Sequence, residues 1–117
     1  MDYHIGDIVG IIGSSGLYTY LWSCGNAYLD GEFGEEQARP EELRPIPIND
    51  FLLKKGGWRE FHREYDHPYM PGLLLKEDGS LYRIGNKTIR YIHELQKVAR
   101  DKGFALATAQ MAYNLTK

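Results

Sequence analysis

One run in this chain holds a helical period long enough to define an element, and it comes late: NKTIRYIHELQKVARDKG, residues 86–103. Ile89, Ile92, Leu95 and Ala99 recur at spacings of three and four, with Val98 beside them, while His93, Glu94, Lys97, Arg100 and Asp101 fall on other faces. Thr88 is placed to cap the start of this helix and Gly103 to end it. The residues before it break into short apolar runs separated by turn residues, so strands come first and the helix closes the fold.

Within residues 1–48 the runs read as β. IGDIVGII (5–12) is rich in β-branched residues, and GSSG (13–16) is a turn cluster. LYTYLWSC (17–24) alternates Leu17, Thr19 and Leu21 against an aromatic face of Tyr18, Tyr20 and Trp22. Gly25-Asn26 is a hairpin dipeptide, and AYLDGEF (27–33) returns as a third strand. These strands suit a small curled antiparallel sheet, of which an SH3-like barrel is one form. GEEQARPEEL (34–43) reads as a polar loop. RPIPIND (44–50) reads as an extended segment that puts Ile46 and Ile48 on one side.

Residues 49–103 read as a short helix, a hairpin and the long helix. Asn49 caps DFLLKK (50–55), which Gly56-Gly57 ends. In WREFHREYDHPYMPG (58–72), Trp58 and Phe61 are expected to be buried, and Pro68 and Pro71 force an extended path. Asp78-Gly79 joins GLLLKED to SLYRIG as a hairpin whose Leu73, Leu75 and Leu81 supply core. Residues 104–117 fit either a second helix or an edge strand. The whole is a single α+β domain.

Composition narrows the class further. A chain of 117 residues, 43% apolar and 26% charged, is an ordinary one-domain globular protein. One cysteine, Cys24, excludes an internal disulfide and a cysteine-rich metal site. MDYHIGDIVGIIG lacks the basic start and long apolar run of a signal peptide, and no run has the length of a membrane span, so a cytoplasmic protein is expected. Residues 1–53 hold nine acids and two bases, a net of −7; residues 54–117 hold twelve bases and seven acids, a net of +5. Such a division suits an anion-binding half, or halves that attract each other or another subunit.

No catalytic pattern is present. His93-Glu94 lacks the second histidine of H-E-x-x-H, because position 97 is Lys. GSSG lacks the spacing of a nucleophile elbow, and GIIGSSG lacks the Lys-Ser/Thr of a phosphate loop. His62, Glu64, Asp66 and His67 are all able to ligate a metal, but at no specific metal spacing, so neither a metal nor a cofactor is assigned. Anion binding is the reading left. Arg59, His62 and Arg63 flank buried aromatics, Arg90, His93 and Lys97 lie on the outer face of the long helix, and Tyr20 and Trp22 offer rings for stacking. These eight are the candidate ligand-binding residues.

Two segments also carry a resemblance. RPIPINDFLLKKGGW (44–58) resembles P-I-P-L-T-x-x-x-L-L-K-x-x-G-F, and IRYIHELQ (89–96) resembles I-K-Y-V-H-E-L-Q. The pair occurs in this order, after an IGDYV-like start that IGDIV (5–9) matches, in a family of small proteins of gut Bacteroidales, their phages and mobile elements. The segment before Leu-Leu-Lys is shorter here by about one residue, and KVARDKGF replaces the family's aromatic, apolar continuation. The resemblance implies a phage or mobile-element accessory protein and supplies no catalytic residues. The expected function is non-enzymatic: sequestering a small anionic ligand, such as a host nucleotide signal, or a host factor, as a counter-defence. The protein would act in the host cytoplasm, with a homo-oligomer as one form. Two alternatives stand beside it. One is a nucleic-acid-binding or adaptor module using the aromatic strand, against which the acidic N-terminal half counts. The other is a small metal-dependent hydrolase built on His62, Asp66 and His67.

Overall fold

A computed structural model describes residues 3–117. It is an α+β fold of two five-stranded antiparallel sheets and three helices, about 42 × 27 × 23 Å.

The first sheet holds β1 (Ile8–Ile11), β2 (Tyr18–Cys24), β3 (Asn26–Gly31), β4 (Gly34–Ala38) and β5 (Leu43–Pro45), in the order β4-β3-β2-β1-β5. Four strands run as a meander, and β5 returns to the free side of β1 after a 3₁₀ turn at Pro40–Glu42. This is the small curled sheet the sequence suggests, left open because β4 and β5 form no ladder among the described residues. The stretch 34–43 is not a loop. Its polar side chains suit an edge strand, whose outer face is solvated, and β4 pairs with β3 from Ala27↔Ala38 to Gly31↔Gly34.

The second sheet is a meander of β6 (Arg59–Phe61), β7 (Glu64–Asp66), β8 (Leu75–Asp78), β9 (Leu81–Ile84) and β10 (Lys87–Ile89). The Gly79-Ser80 turn joins β8 to β9, with Gly79 at φ 65°. Phe61 and Leu81 are not core. Phe61 lies on an edge strand and is 76% exposed; Leu81 opens β9 beside the turn, opposite Asp78, and is exposed too.

Three helices join the sheets. In α1 (Asp50–Lys55) the Asn49 side chain accepts from Leu52 N at 2.8 Å, and Gly57 follows at φ 99°. Helix α2 spans Ile92–Asp101 rather than starting at Thr88. Lys87–Ile89 pair with β9, and Tyr91 is extended at the N-cap, where Glu94 Oε1 accepts from the backbone N–H of Arg90 and of Tyr91. Ile89 still reaches the core, from a strand. The tail is helix α3 (Ala105–Thr116), with Met111, Ala112 and Leu115 buried.

Strand β1 serves both halves. Ile8 enters the large core with Ile46, Leu53, Trp58, Leu75 and Leu95, while Val9 points the other way, into a small core with Ala27, Leu29 and Ala38. Gln96, on α2, holds that strand in place. Its Oε1 accepts from Ile8 N and its Nε2 donates to Gly6 O, both at 2.8 Å. Beside it Arg100 Nη1 lies 2.9 Å from Asp7 Oδ1.

Candidate functional site

The eight residues singled out by sequence do not form one site. Arg59 is held in a bidentate pair with Asp66, at 3.1 and 3.0 Å. His62 and Arg63 are the turn between β6 and β7, with φ of 51° and 65°. That turn directs them to solvent at the far edge of the second sheet. Arg90 is exposed, and Lys97 pairs with Asp101 at 3.2 Å.

The aromatic strand is divided by a bulge between Tyr20 and Trp22. The extra residue, Leu21, shifts the alternation by one. Tyr20 stays opposite the buried Leu29 and packs on the small core. Trp22 turns to the outer face and stacks on Tyr28, ring centroids 4.2 Å apart and planes within 8°. A continuous platform of Tyr18, Tyr20 and Trp22 is therefore absent, and Asp30 and Glu35 share the outer face with the stack.

Tyr20 and His93 do meet through Tyr3. The Tyr3 ring lies 5.9 Å from Tyr20 and 5.2 Å from His93, which also stacks on Tyr91 at 5.8 Å. His93 Nδ1 is buried and has no hydrogen-bond partner among the described residues. Burial pushes its pKa down, with Asp7 and Glu94 pulling it up and Arg100 down again. The Asp7–Arg100 contact is one of charge, since no donor is aligned on Asp7 Oδ1. This cluster fills the seam between β1 and α2 and opens into neither concavity of the surface.

His62, Asp66 and His67 do not converge either. His67 is buried, edge-on to Trp58 at 5.4 Å, with Nε2 3.1 Å from Gly56 O and Nδ1 accepting from Tyr69 N. No group of three or more His, Cys, Asp or Glu side chains is arranged for a metal among the described residues. A hydrolase centred on these residues lacks its constellation.

Two concavities stand out among the described residues. A cleft of about 640 Å³ lies between the first sheet and the ends of α1 and α3, walled by Tyr18, Phe33 and Phe51. Both signs of charge line it, Lys55 and Lys117 with Glu32 and Glu36, and Lys117 is engaged by Asp30 at 3.0 Å. The second, of about 550 Å³, is a groove between α2 and the β8–β10 part of the second sheet. Leu73, Leu74, Ile84 and Val98 form its apolar surface, and Lys76, Lys87 and Lys102 its charged rim. Among the described residues no carboxylate lines it. Lys76 is 3.4 Å from Glu64, while Lys87 and Lys102 are exposed and have no ion-pair partner among the described residues.

The fold creates this rim locally. Lys87 lies opposite Ile84 in the β9–β10 ladder, on the side of the sheet that carries the buried Ile89. Lys102 is the C-cap of α2, one turn beyond Val98. Ammonium groups are thus set around apolar side chains on a surface that keeps one sign of charge. These three lysines carry no motif, and the only signal that bears on them is the basic excess of residues 54–117.

No protein-family model matches the chain, and neither a curated protein nor a solved structure is similar enough to count as a match.

Proposed function

We propose that the protein is a non-enzymatic binding protein whose groove between α2 and the second sheet captures an anion with an apolar part. One observation carries this reading: three lysines rim an apolar groove that, among the described residues, no carboxylate lines. Its volume lies within the range of about 300–1,000 Å³ common to small-molecule sites. Lysine ammonium groups favour an anionic group at the rim, and the leucine, isoleucine and valine surface favours rings or chains beneath it. With the context that the sequence resemblance implies, the role is that of a phage or mobile-element accessory protein that sequesters a host anion, such as a nucleotide signal, in counter-defence.

The test uses 8-anilinonaphthalene-1-sulfonate, an apolar ring system bearing one anion, followed by calorimetry against a nucleotide panel. The dye should bind saturably at one site per chain and weaken with added salt. Lys87→Glu with Lys102→Glu should weaken it by at least about tenfold, the equivalent of roughly 1.4 kcal/mol, with the melting temperature unchanged. Dye binding that ignores both substitutions removes the groove as the site.

A further inference from the structure

A second surface on this chain is complementary to that groove. The β3–β4 turn is Glu32-Phe33, between the paired Gly31 and Gly34, and Phe33 is 95% exposed. Glu32 precedes it in the turn, and Glu35 and Glu36 follow on opposite faces of β4; all three are exposed, and none is in an ion pair among the described residues. The tip thus presents one exposed aromatic ring with exposed carboxylates beside it in sequence. The groove presents apolar side chains inside a ring of lysines. Phe33 borders the first cleft, but its ring lies almost wholly in solvent.

We infer that the groove's protein partner is the β3–β4 tip of a second copy of this chain, with Phe33 seated on Leu74 and Ile84 and its glutamates facing Lys87 and Lys102. The inference rests on the reading of the groove as a site for an anion with an apolar part, and it names an occupant of that site. The two surfaces are different patches of one molecule, so the contact is head-to-tail and leaves a free tip at one end and a free groove at the other. Repetition gives a ring if the rotation closes and a filament if it does not. A small anion in the groove and a docked tip exclude each other, so ligand binding disassembles the chain of copies.

Sedimentation velocity of the intact protein at low ionic strength, from about 10 µM to about 1 mM, tests this over the range of a small, charge-assisted contact. The wild type should associate with concentration, and added salt should reduce it. Phe33→Ser should weaken association by at least about tenfold, as loss of the one aromatic anchor. Glu32→Lys with Glu36→Lys should give monomers, and so should Lys87→Glu with Lys102→Glu. Mixing those two charge-reversed proteins should restore assembly, because every junction then pairs opposite charges. A wild type that stays monomeric throughout overturns the inference, as does assembly that survives Phe33→Ser and both reversals. A monomeric wild type whose dye binding is still lost with Lys87→Glu and Lys102→Glu overturns the self-docking alone and leaves the groove as a ligand site. A monomer that binds no dye overturns both.

Discussion

Gln96 is fully buried, and both ends of its amide are used. It acts as a piece of strand, offering Gly6 the donor and Ile8 the acceptor that a neighbouring backbone would supply. Gln96→Ala leaves the buried N–H of Ile8 and the part-buried carbonyl of Gly6 without their partner, at about 1–3 kcal/mol for the buried group and less for the other, so a loss of about 2–4 kcal/mol is expected in urea unfolding. Leakage of water to the seam would show as a smaller loss. Arg63 illustrates the opposite case. Its charge suggests ligand contact, but its backbone sits at φ 65° in a two-residue turn, a conformation that favours glycine. Arg63→Gly should raise stability by about 0.5–1 kcal/mol, the relief of left-handed strain less the entropy glycine loses. A decrease would mean the arginine side chain holds the turn.

At the scale of elements, the caps decide where helices begin. Glu94 closes α2 by accepting from two backbone N–H groups. Glu94→Ala should cost about 1 kcal/mol and speed amide exchange at Arg90 and Tyr91. Unchanged exchange there would show that the extended Tyr91 is held by its bridge to Pro47 instead. Elements with such local signatures were legible in the sequence: Asn49 and Gly56-Gly57 bound α1, and Asp78-Gly79 marked the hairpin. Those fixed by tertiary pairing were not. β4 has the composition of a loop and is a strand because β3 offers it a ladder. Thr88 looks like a cap, but β9 takes Lys87–Ile89 into a sheet before the helix can start. One bulged residue turned Trp22 away from Tyr20. The groove was hidden for a related reason: its lysines stretch from residue 76 to residue 102 and meet only once the second sheet packs on α2.

Across the whole molecule, the charge division is partly internal. Asp7–Arg100 and Asp30–Lys117 each tie the acidic half to the basic one. Stability should fall on mild acidification. Burial holds the pKa of both His67 and His93 below the ordinary 6.5. Below that value the unfolded chain binds more protons than the folded one. The contribution is therefore complete above 6.5 and is lost as pH falls from there through the folded-state values. Melting temperatures taken from about pH 7.5 to about pH 5.5 should drop, and His93→Gln should shrink the drop. A flat profile would mean that neither imidazole is held neutral in the fold.

The reach of Gln96 has a further effect, on timing. Its two bonds to the first strand span 88 and 90 residues. While the polypeptide emerges from a ribosome, β1 is made well before α2 and cannot be locked until α2 has appeared. Contacts this distant along the chain are slow to form, because much of the loop-closure entropy is lost before they reward it. The nascent first sheet therefore waits with Ile8 uncovered while the residues between β1 and α2 are made, in need of either shelter or speed.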